Sequence, residues 1–391
     1  MISQLQLKNF TAFTELAIDF SPGINIIIGE NGTGKTQLLK AVLAVSGPVP
    51  LGERADQELA RNLCRLYQPL SGKVGELRRE GKRGEAHLSA TFASGQTIAA
   101  KFNSSAEEVT VMQPADCKPP PAIFIPTKEV LSLVRPWRSV RHLEVNRLEA
   151  VERPDLAAIA RIFDASYLTL ARLLIRARSN DLNTKVQFDP RFAKMVPHLT
   201  NLIGGQYLME NGRFVFEPGH YVERAAASRT RSKHAQMYQD STEWKFVPSG
   251  KRRLSSGMTA EGFRKIGVLQ RLLSNDSLNP GTSGPLLWDE PESNLNPKLM
   301  RDLVQALLEL ARNGQQIILA THDYVLLKWF DLLLDKGKGD QVRFHRLYRG
   351  EEGEHIQYEA QSDYSIVGRS AISNTFAELY DEDVKRALGS D

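Results

Sequence analysis

Cysteine is nearly absent from this 391-residue chain: there are two, Cys64 and Cys117, far apart and without C-x-x-C spacing. That excludes a disulfide framework and a thiolate metal site, and a reducing compartment, the cytoplasm, is the simplest expectation. Long apolar runs are missing too. Met1 to Phe20 alternates polar and apolar residues without the apolar core of a signal peptide, and no run approaches membrane-spanning length, so no membrane partner is expected. Charge of one sign is not in marked excess. A net charge of +4 permits an acidic partner such as DNA without demanding one. Internal repeats and low-complexity segments are absent, and no heptad pattern persists. What remains is an ordinary globular composition, 41% hydrophobic and 25% charged, with length for one to three domains.

Against that plain background one segment stands out. Gly29-Glu30-Asn31-Gly32-Thr33-Gly34-Lys35-Thr36 fits G-x-x-x-x-G-K-[ST] at every fixed position. The apolar run Ile24 to Ile28 before it reads as a buried strand, and Gln37 to Val45 after it reads as a helix. In that context the glycines let backbone approach phosphate, and the amides of Asn31 to Gly34 and of the helix start, including Gln37, form an anion cradle. Lys35 reaches the β- and γ-phosphates and Thr36 offers its hydroxyl to Mg²⁺. ATP and Mg²⁺ are the expected ligands.

Two period-two strands, Ile2 to Leu7 and Leu16 to Phe20, lead into this strand. Residues 51–70 read as helical, and Ala86 to Phe92, Gln96 to Phe102 and Glu108 to Met112 as strands of an antiparallel insert that ends at Pro119-Pro120-Pro121. Ala122 to Ile125 is a buried strand whose carboxyl end opens into Pro126-Thr127-Lys128-Glu129, where α/β sheets place ligands. Val130 to about Arg178 reads as helical, with Leu168, Leu170, Leu173 and Leu174 as a core-packing stripe. Asn211-Gly212 marks a hairpin. Helix Phe263 to Leu273, strand Leu286 to Trp288, helix Pro297 to Ala311 and strand Gln316 to Ala320 alternate as in a parallel sheet. Two strands from Val342 and a helix over Asn374 to Leu388 complete the chain.

Leu286-Leu287-Trp288-Asp289-Glu290 is an apolar strand that ends in two acids. Such a strand end supplies one carboxylate to Mg²⁺ and one to orient or activate water; Asp289 is assigned to the metal and Glu290 to the water. The continuation Asp289-Glu290-Pro291-Glu292-Ser293-Asn294-Leu295-Asn296-Pro297 resembles the Walker B and D-loop of ABC-type ATPases, in the branch that holds the SMC, RecF and OLD proteins. Ala320-Thr321-His322-Asp323 resembles that family's switch histidine, which would put His322 at the γ-phosphate, and Lys8-Asn9-Phe10 resembles the opening of these heads, where Asn9 would lie beside the adenine and ribose.

The signature that completes a second subunit's ATP site has two registers. Leu254-Ser255-Ser256-Gly257-Met258 resembles L-S-G-G-Q, whereas Ala260-Glu261-Gly262-Phe263-Arg264-Lys265 is more like the S-E-G-x-x-K form of RecF-type heads, with Ala260 in place of the serine; the second register is preferred. At the Q-loop, Thr127 stands where transporter-type heads carry glutamine. The wording around Ile125 to Ser132, Ala260 to Lys265 and Trp288 to Glu292 is similar to a narrower AAA_15/AAA_21-like group of OLD-like ATPases, including those of the antiphage systems PARIS and Septu.

The resemblance implies an α/β fold: a P-loop NTPase of ABC-type head architecture with an antiparallel β insert and a helical signature lobe. The expected division is residues 1–126 for the P-loop lobe with the insert near 51–120, residues 127–262 for the lid, and residues 263–391 for the rest of the sheet. The implied activity is Mg²⁺-dependent ATP hydrolysis, with Glu290, His322 and Lys35 as catalytic residues and Asn294 and one signature register reaching the partner's nucleotide. Partners would be a second copy, as a homodimer or higher assembly of dimers, and a separate effector protein such as a nuclease, with DNA as a further candidate. A defence regulator is preferred over a RecF- or SMC-like DNA-maintenance ATPase, and both over a transporter subunit. Basic clusters at Lys73, Arg78, Arg79, Lys82 and Arg83 and from Arg224 through Arg229, Arg231 and Lys233 to Arg253 lack interleaved stacking aromatics and read more readily as solvated or partner-binding surface than as a DNA track, while Arg135, Trp137, Arg138 and Arg141 are open to either reading.

Overall fold

The computed structural model describes residues 1–47, 53–112, 117–135, 154–225, 242–350, 355–369 and 371–388. Trp137, Arg138, Arg141, Arg229, Arg231, Lys233 and the middle of the stretch expected to be helical after Val130 lie outside the described residues, as does the Arg224 side chain. In chain order the elements begin with β1 (Ile2–Phe10), β2 (Phe13–Asp19), β3 (Ile24–Gly29), α1 (Lys35–Val45), α2 (Glu53–Tyr67), β4 (Ala86–Phe92), β5 (Thr97–Phe102), β6 (Thr110–Met112) and β7 (Ile123–Ile125). Then come α3 (Leu156–Ile162), α4 (Ala165–Leu174), α5 (Leu182–Phe188), α6 (Pro190–Ala193), α7 (Met195–Ile203), β8 (Gly205–Glu210), β9 (Arg213–Ala225), β10 (Thr242–Pro248), β11 (Leu254–Ser255) and α8 (Glu261–Ser274). The last run is β12 (Leu286–Asp289), α9 (Pro297–Arg312), β13 (Ile317–Thr321), α10 (Tyr324–Leu333), β14 (Val342–Arg349), β15 (Ile356–Gln361) and α11 (Ala371–Leu388).

The chain divides into two compact units. The first, Met1–Lys128 with Ile162–Leu168 and Pro280–Asp391, is built on a six-stranded sheet of order β15-β14-β3-β13-β12-β7. All neighbours are parallel except β14 with β15. Strands β3, β7, β12 and β13 are buried at every position, which is why they read as continuous apolar runs and not as alternation: parallel strands are covered on both faces. The register sets Asp289 opposite Ala320, and Thr321 opposite Ile28, so the carboxyl ends of β3, β12 and β13 finish together.

A second sheet in this unit has order β2-β1-β4-β5-β6 and is wholly antiparallel. The expected insert strands therefore do not stand apart: β4 pairs with β1, and the N-terminal ribbon and the insert form one sheet. Its strands alternate in burial, as β4 shows, because one face packs on the core and the other meets solvent. That core joins Leu5, Leu7 and Phe10 to Leu38, Val42, Leu59 and Leu63 of the two helices. Buried Gln316 links the two sheets. Its Oε1 accepts from the Ile2 amide at 2.9 Å, and its Nε2 donates to the carbonyls of Ile2 at 2.7 Å and Ser21 at 3.0 Å.

The second unit, Glu129–Arg161 with Thr169–Asn279, is not purely helical. It carries a four-stranded antiparallel sheet in which β8, β10 and β11 all pair with the long β9. The β8–β9 hairpin turns at Asn211 (φ 46°) and Gly212 (φ 71°), the two positive angles a type I′ turn needs. Helix α8 lies wholly in this unit, so the division expected after residue 262 falls inside α8, and the chain passes back to the first unit only at Pro280. The physical reason is α8's buried face. Gln270 donates to Thr200 Oγ1 at 2.7 Å and accepts from the Tyr207 amide at 3.1 Å, and the Arg271 Nε donates to the Leu174 carbonyl at 3.0 Å. A Cβ on Gly267 would come within 2.4 Å of the Tyr207 ring, so glycine is required there for close packing.

Gln316→Leu keeps the volume but removes the side-chain partner of the buried Ile2 amide and carbonyl, while the Ser21 carbonyl keeps its bond from Asn25 Nδ2 at 2.8 Å. Each unsatisfied group costs ~1–3 kcal/mol, and the thermal midpoint should fall by roughly 5 °C or more, read by circular dichroism. An unchanged midpoint would show that Gln316 does not join the sheets.

Candidate functional site

The glycine-rich turn between β3 and α1 is closed by sterics. A Cβ on Gly29 would lie 2.6 Å from both the Leu347 carbonyl oxygen and Thr33 Oγ1, and one on Gly34 2.7 Å from the Phe13 ring. Gly32 (φ +79°) and Gly34 (φ +89°) also occupy the left-handed region. Thr33 is locked by donating to the Glu30 carbonyl at 2.8 Å, while Asn31 is exposed at the tip. No side chain caps α1, so its first-turn amides stay open to an anion. Lys35 is buried, and its Nζ donates to the carbonyls of Gly29 at 2.6 Å and Glu30 at 3.0 Å. Burial pulls its pKa down, while the charges of Glu290, Asp289, Glu292 and Glu30 oppose the fall. Gln37 Oε1 accepts from the Ala12 amide at 3.1 Å, which ties α1 to the β1–β2 turn.

Across from this turn, Asp289 ends β12. Its Oδ2 accepts hydroxyl hydrogens from Thr36 at 2.8 Å and from Thr127 at 3.0 Å. Its Oδ1 is buried without a hydrogen-bond partner among the described residues. Burial pushes this carboxyl up, and the two hydroxyls pull it back. An orphaned carboxylate oxygen beside two hydroxyls is the all-oxygen donor set that suits Mg²⁺, so the residues fit the expected ion. No cluster of three or more His, Cys, Asp or Glu able to hold a metal occurs among the described residues. Thr127, whose departure from glutamine left the Q-loop position open, stands on the carboxylate assigned to the metal.

Glu290 follows with φ 48°, its amide donating to the Ala320 carbonyl at 2.9 Å. His322 Nδ1 is 3.2 Å from Glu290 Oε1, so the expected switch histidine and the expected water-activating carboxylate are in contact. The turn that carries Glu290 is tight: the Ser293 amide donates to the Glu290 carbonyl at 3.1 Å and the Leu295 amide to the Glu292 carbonyl at 2.9 Å. Asn294 is exposed with φ 59°, and Asn296 caps α9 by accepting from the Lys298 amide at 3.0 Å, with Pro297 in the first turn. Glu292 is buried in this turn and was not singled out by sequence. The signal for it was a third acid directly after Asp289-Glu290-Pro291.

Other expected residues are placed differently. Asn9 (φ 49°) is buried and its Nδ2 donates to the carbonyls of Arg83 at 3.2 Å and Glu85 at 3.3 Å, so its amide pins a loop to β1. The nearby cations are also engaged: Lys73 pairs with Glu107 at 2.7 Å, and Arg78 donates to the carbonyls of Arg79 and Lys82. Ser255, Ser256, Gly257, Ala260, Glu261 and Gly262 all belong to the second unit. Ser256 is buried with its hydroxyl on the Leu131 carbonyl at 3.3 Å, in a short turn. Ala260, exposed and extended, precedes the 14-residue α8 with no side-chain cap. Of the two registers, only Ala260-Glu261-Gly262 thus opens a long helix. Arg264 fixes this end, reaching Glu129 Oε1 at 2.8 Å and the carbonyls of Ser256 and Thr259.

Residues 24–328 match the model of the family described as "AAA domain, putative AbiEii toxin, Type IV TA system". Among curated proteins, the chain is similar to the DNA replication and repair protein RecF of Limosilactobacillus fermentum, 41% identical over 59 residues, covering 15% of this chain and 16% of that protein. RecF of Lactobacillus johnsonii is 38% identical over 73 residues, covering 19% of each. The matched stretches thus span less than a fifth of these relatives. Among solved structures, the SMC head bound to the C-terminal winged-helix domain of ScpA aligns over 94% of this chain and 99% of that one, with a TM-score of 0.51 and 13% identity. That likeness is one of fold: a mixed α/β P-loop NTPase of the SMC-head type.

Thr127→Val removes a hydroxyl from Asp289 without changing shape. It should raise the Mg²⁺ concentration for half-maximal nucleotide binding by about 10-fold, measured by titrating Mg²⁺ against a fluorescent ATP analogue. An unchanged requirement would detach Thr127 from the metal site.

Proposed function

The chain belongs to that AAA-domain family, and we propose that it is a Mg²⁺-dependent ATPase whose two copies close around ATP to control a partner. The observation that carries this reading is the convergence of Thr36 and Thr127 on one oxygen of Asp289, which leaves the other free, with Glu290 and His322 in contact beside it. ATP phosphates would take the amides of the Asn31–Gly34 turn and the start of α1, and Lys35 would exchange two carbonyls for phosphate oxygens. Bound Mg²⁺, held by Thr36 and Asp289, would neutralise charge on the β- and γ-phosphates. Glu290 orients and deprotonates the attacking water, and His322 bears on Glu290 at the γ-phosphate.

The remaining phosphate contacts would come from a second copy. The uncapped start of α8, with exposed Ala260 ahead of Glu261 and Gly262, offers amides and a dipole to an anion, and exposed Asn294 would face the same junction. Binding then closes the dimer and hydrolysis reopens it. The preferred role is regulation of a separate effector in a defence system, which is consistent with the toxin–antitoxin wording of the family description. The RecF matches favour a second reading, a DNA-maintenance ATPase. Duplex DNA that speeds hydrolysis several-fold would support the second, while a nuclease recovered from native cells with Glu290→Gln in ATP would support the first.

Glu290→Gln should lower kcat at least 100-fold while ATP stays bound, and Lys35→Ala should abolish binding. Phosphate release and equilibrium dialysis read the two; hydrolysis at the unsubstituted rate in either variant would overturn the assignments.

A further inference from the structure

We propose that Glu292 is a positioning residue that locks the end of β13 to the Glu290 turn and so holds the His322 ring against the Glu290 carboxylate. The inference rests on the hydrolysis reading above and adds a residue to which that reading gives no part.

Glu292 is only 6% exposed, an unusual place for a carboxylate. Its Oε1 accepts from the Thr321 hydroxyl at 2.7 Å and from the His322 amide at 3.5 Å, and lies 3.9 Å from His322 Nδ1. One oxygen thus gathers the side chain before the histidine, the histidine's own backbone and its ring. Thr321 Oγ1 also accepts from the Asp323 amide at 3.0 Å, and Asp323 Oδ1 caps α10 by accepting from the Leu326 amide at 2.6 Å. On its other side Glu292 is bound into the Glu290 turn through the two backbone bonds of that turn.

The consequence is geometric. His322 directly follows the end of β13 and Glu290 lies on a separate turn; the Glu290 amide on the Ala320 carbonyl joins the two, and the Glu292 side chain bridges them as well. Its second oxygen, Oε2, is buried without a hydrogen-bond partner among the described residues, a cost a fold-only contact had no reason to keep when an apolar side chain would fill the space. The Thr321 hydroxyl needs only an accepting oxygen at this place, which an amide also offers.

Three variants separate positioning from folding: Glu292→Ala, Glu292→Gln and Thr321→Val, each followed by kcat, KM and thermal midpoint. Glu292→Ala should lose kcat by about 10- to 100-fold with KM for ATP changed less than about 2-fold, because the phosphate contacts come from the Gly29–Thr36 turn. Glu292→Gln should stay within about 3-fold of the unsubstituted kcat, since its amide oxygen still accepts from Thr321. Thr321→Val should lose kcat in the direction of Glu292→Ala. If Glu292→Ala does not fold, Gln against Thr321→Val carries the same contrast. Full kcat in Glu292→Ala or Thr321→Val, equal loss in Ala and Gln, or loss that tracks the thermal midpoint alone would overturn the proposal. An unsubstituted chain that hydrolyses no ATP overturns the function reading and this inference with it, which the variant pattern alone does not.

Discussion

Asp289 Oδ2 is the point on which the site depends. Two hydroxyls reach it, from the first turn of α1 and from the residues after β7, so one buried carboxylate joins the glycine-rich turn, the β12 end and the β7 end. A carboxylate in so enclosed a place is costly unless it is hydrogen-bonded, and here only one oxygen is. The parallel sheet makes the arrangement affordable by ending its strands together, in the crevice where α/β sheets place ligands. Lys35, folded onto two carbonyls at the opposite wall, holds the compensating charge within reach.

Local backbone strain lies where the chemistry is expected. Glu290 and Asn294 are non-glycine residues at positive φ within one short turn, and that turn persists because two backbone bonds and the Glu292 side chain over-determine it. Strain of this kind fixes the direction of a side chain more firmly than a regular strand end does.

Much of this was legible in the sequence, for a physical reason. The glycine-rich turn, Asp289-Glu290 and the strand that ends in His322 are local: spacing and apolar runs place each without knowledge of its neighbours. Contacts between distant segments were not. A period-two strand such as β4 does not name its partner, so the pairing with β1 that makes the insert and the N-terminal ribbon one sheet was missed. Thr127 and Asp289 are joined across the sheet by β7–β12 pairing, and Glu292 and Thr321 across two connections, so neither role could be read from spacing. The motif around Asn9 likewise did not show that its amide bonds two carbonyls of a distant loop, those of Arg83 and Glu85. The division between units was hidden because the pattern of α8, with Gln270 and Arg271 among its buried residues, reads alike whichever body the helix packs against.

The central claim is that one complete ATP site takes its parts from two copies: the Gly29–Thr36 turn and Asp289 of one, and the start of α8 of the other. Mixing subunits measures this directly. Lys35→Ala removes one half, and Ala260→Asp, a good helix cap that places negative charge at the expected phosphate position, removes the other. Each alone should be inactive, whereas an equal mixture should recover about one quarter of the unsubstituted rate, since half the dimers are mixed and each has one intact site. A mixture as inactive as its parts, or Ala260→Asp with full activity alone, would contradict the composite site.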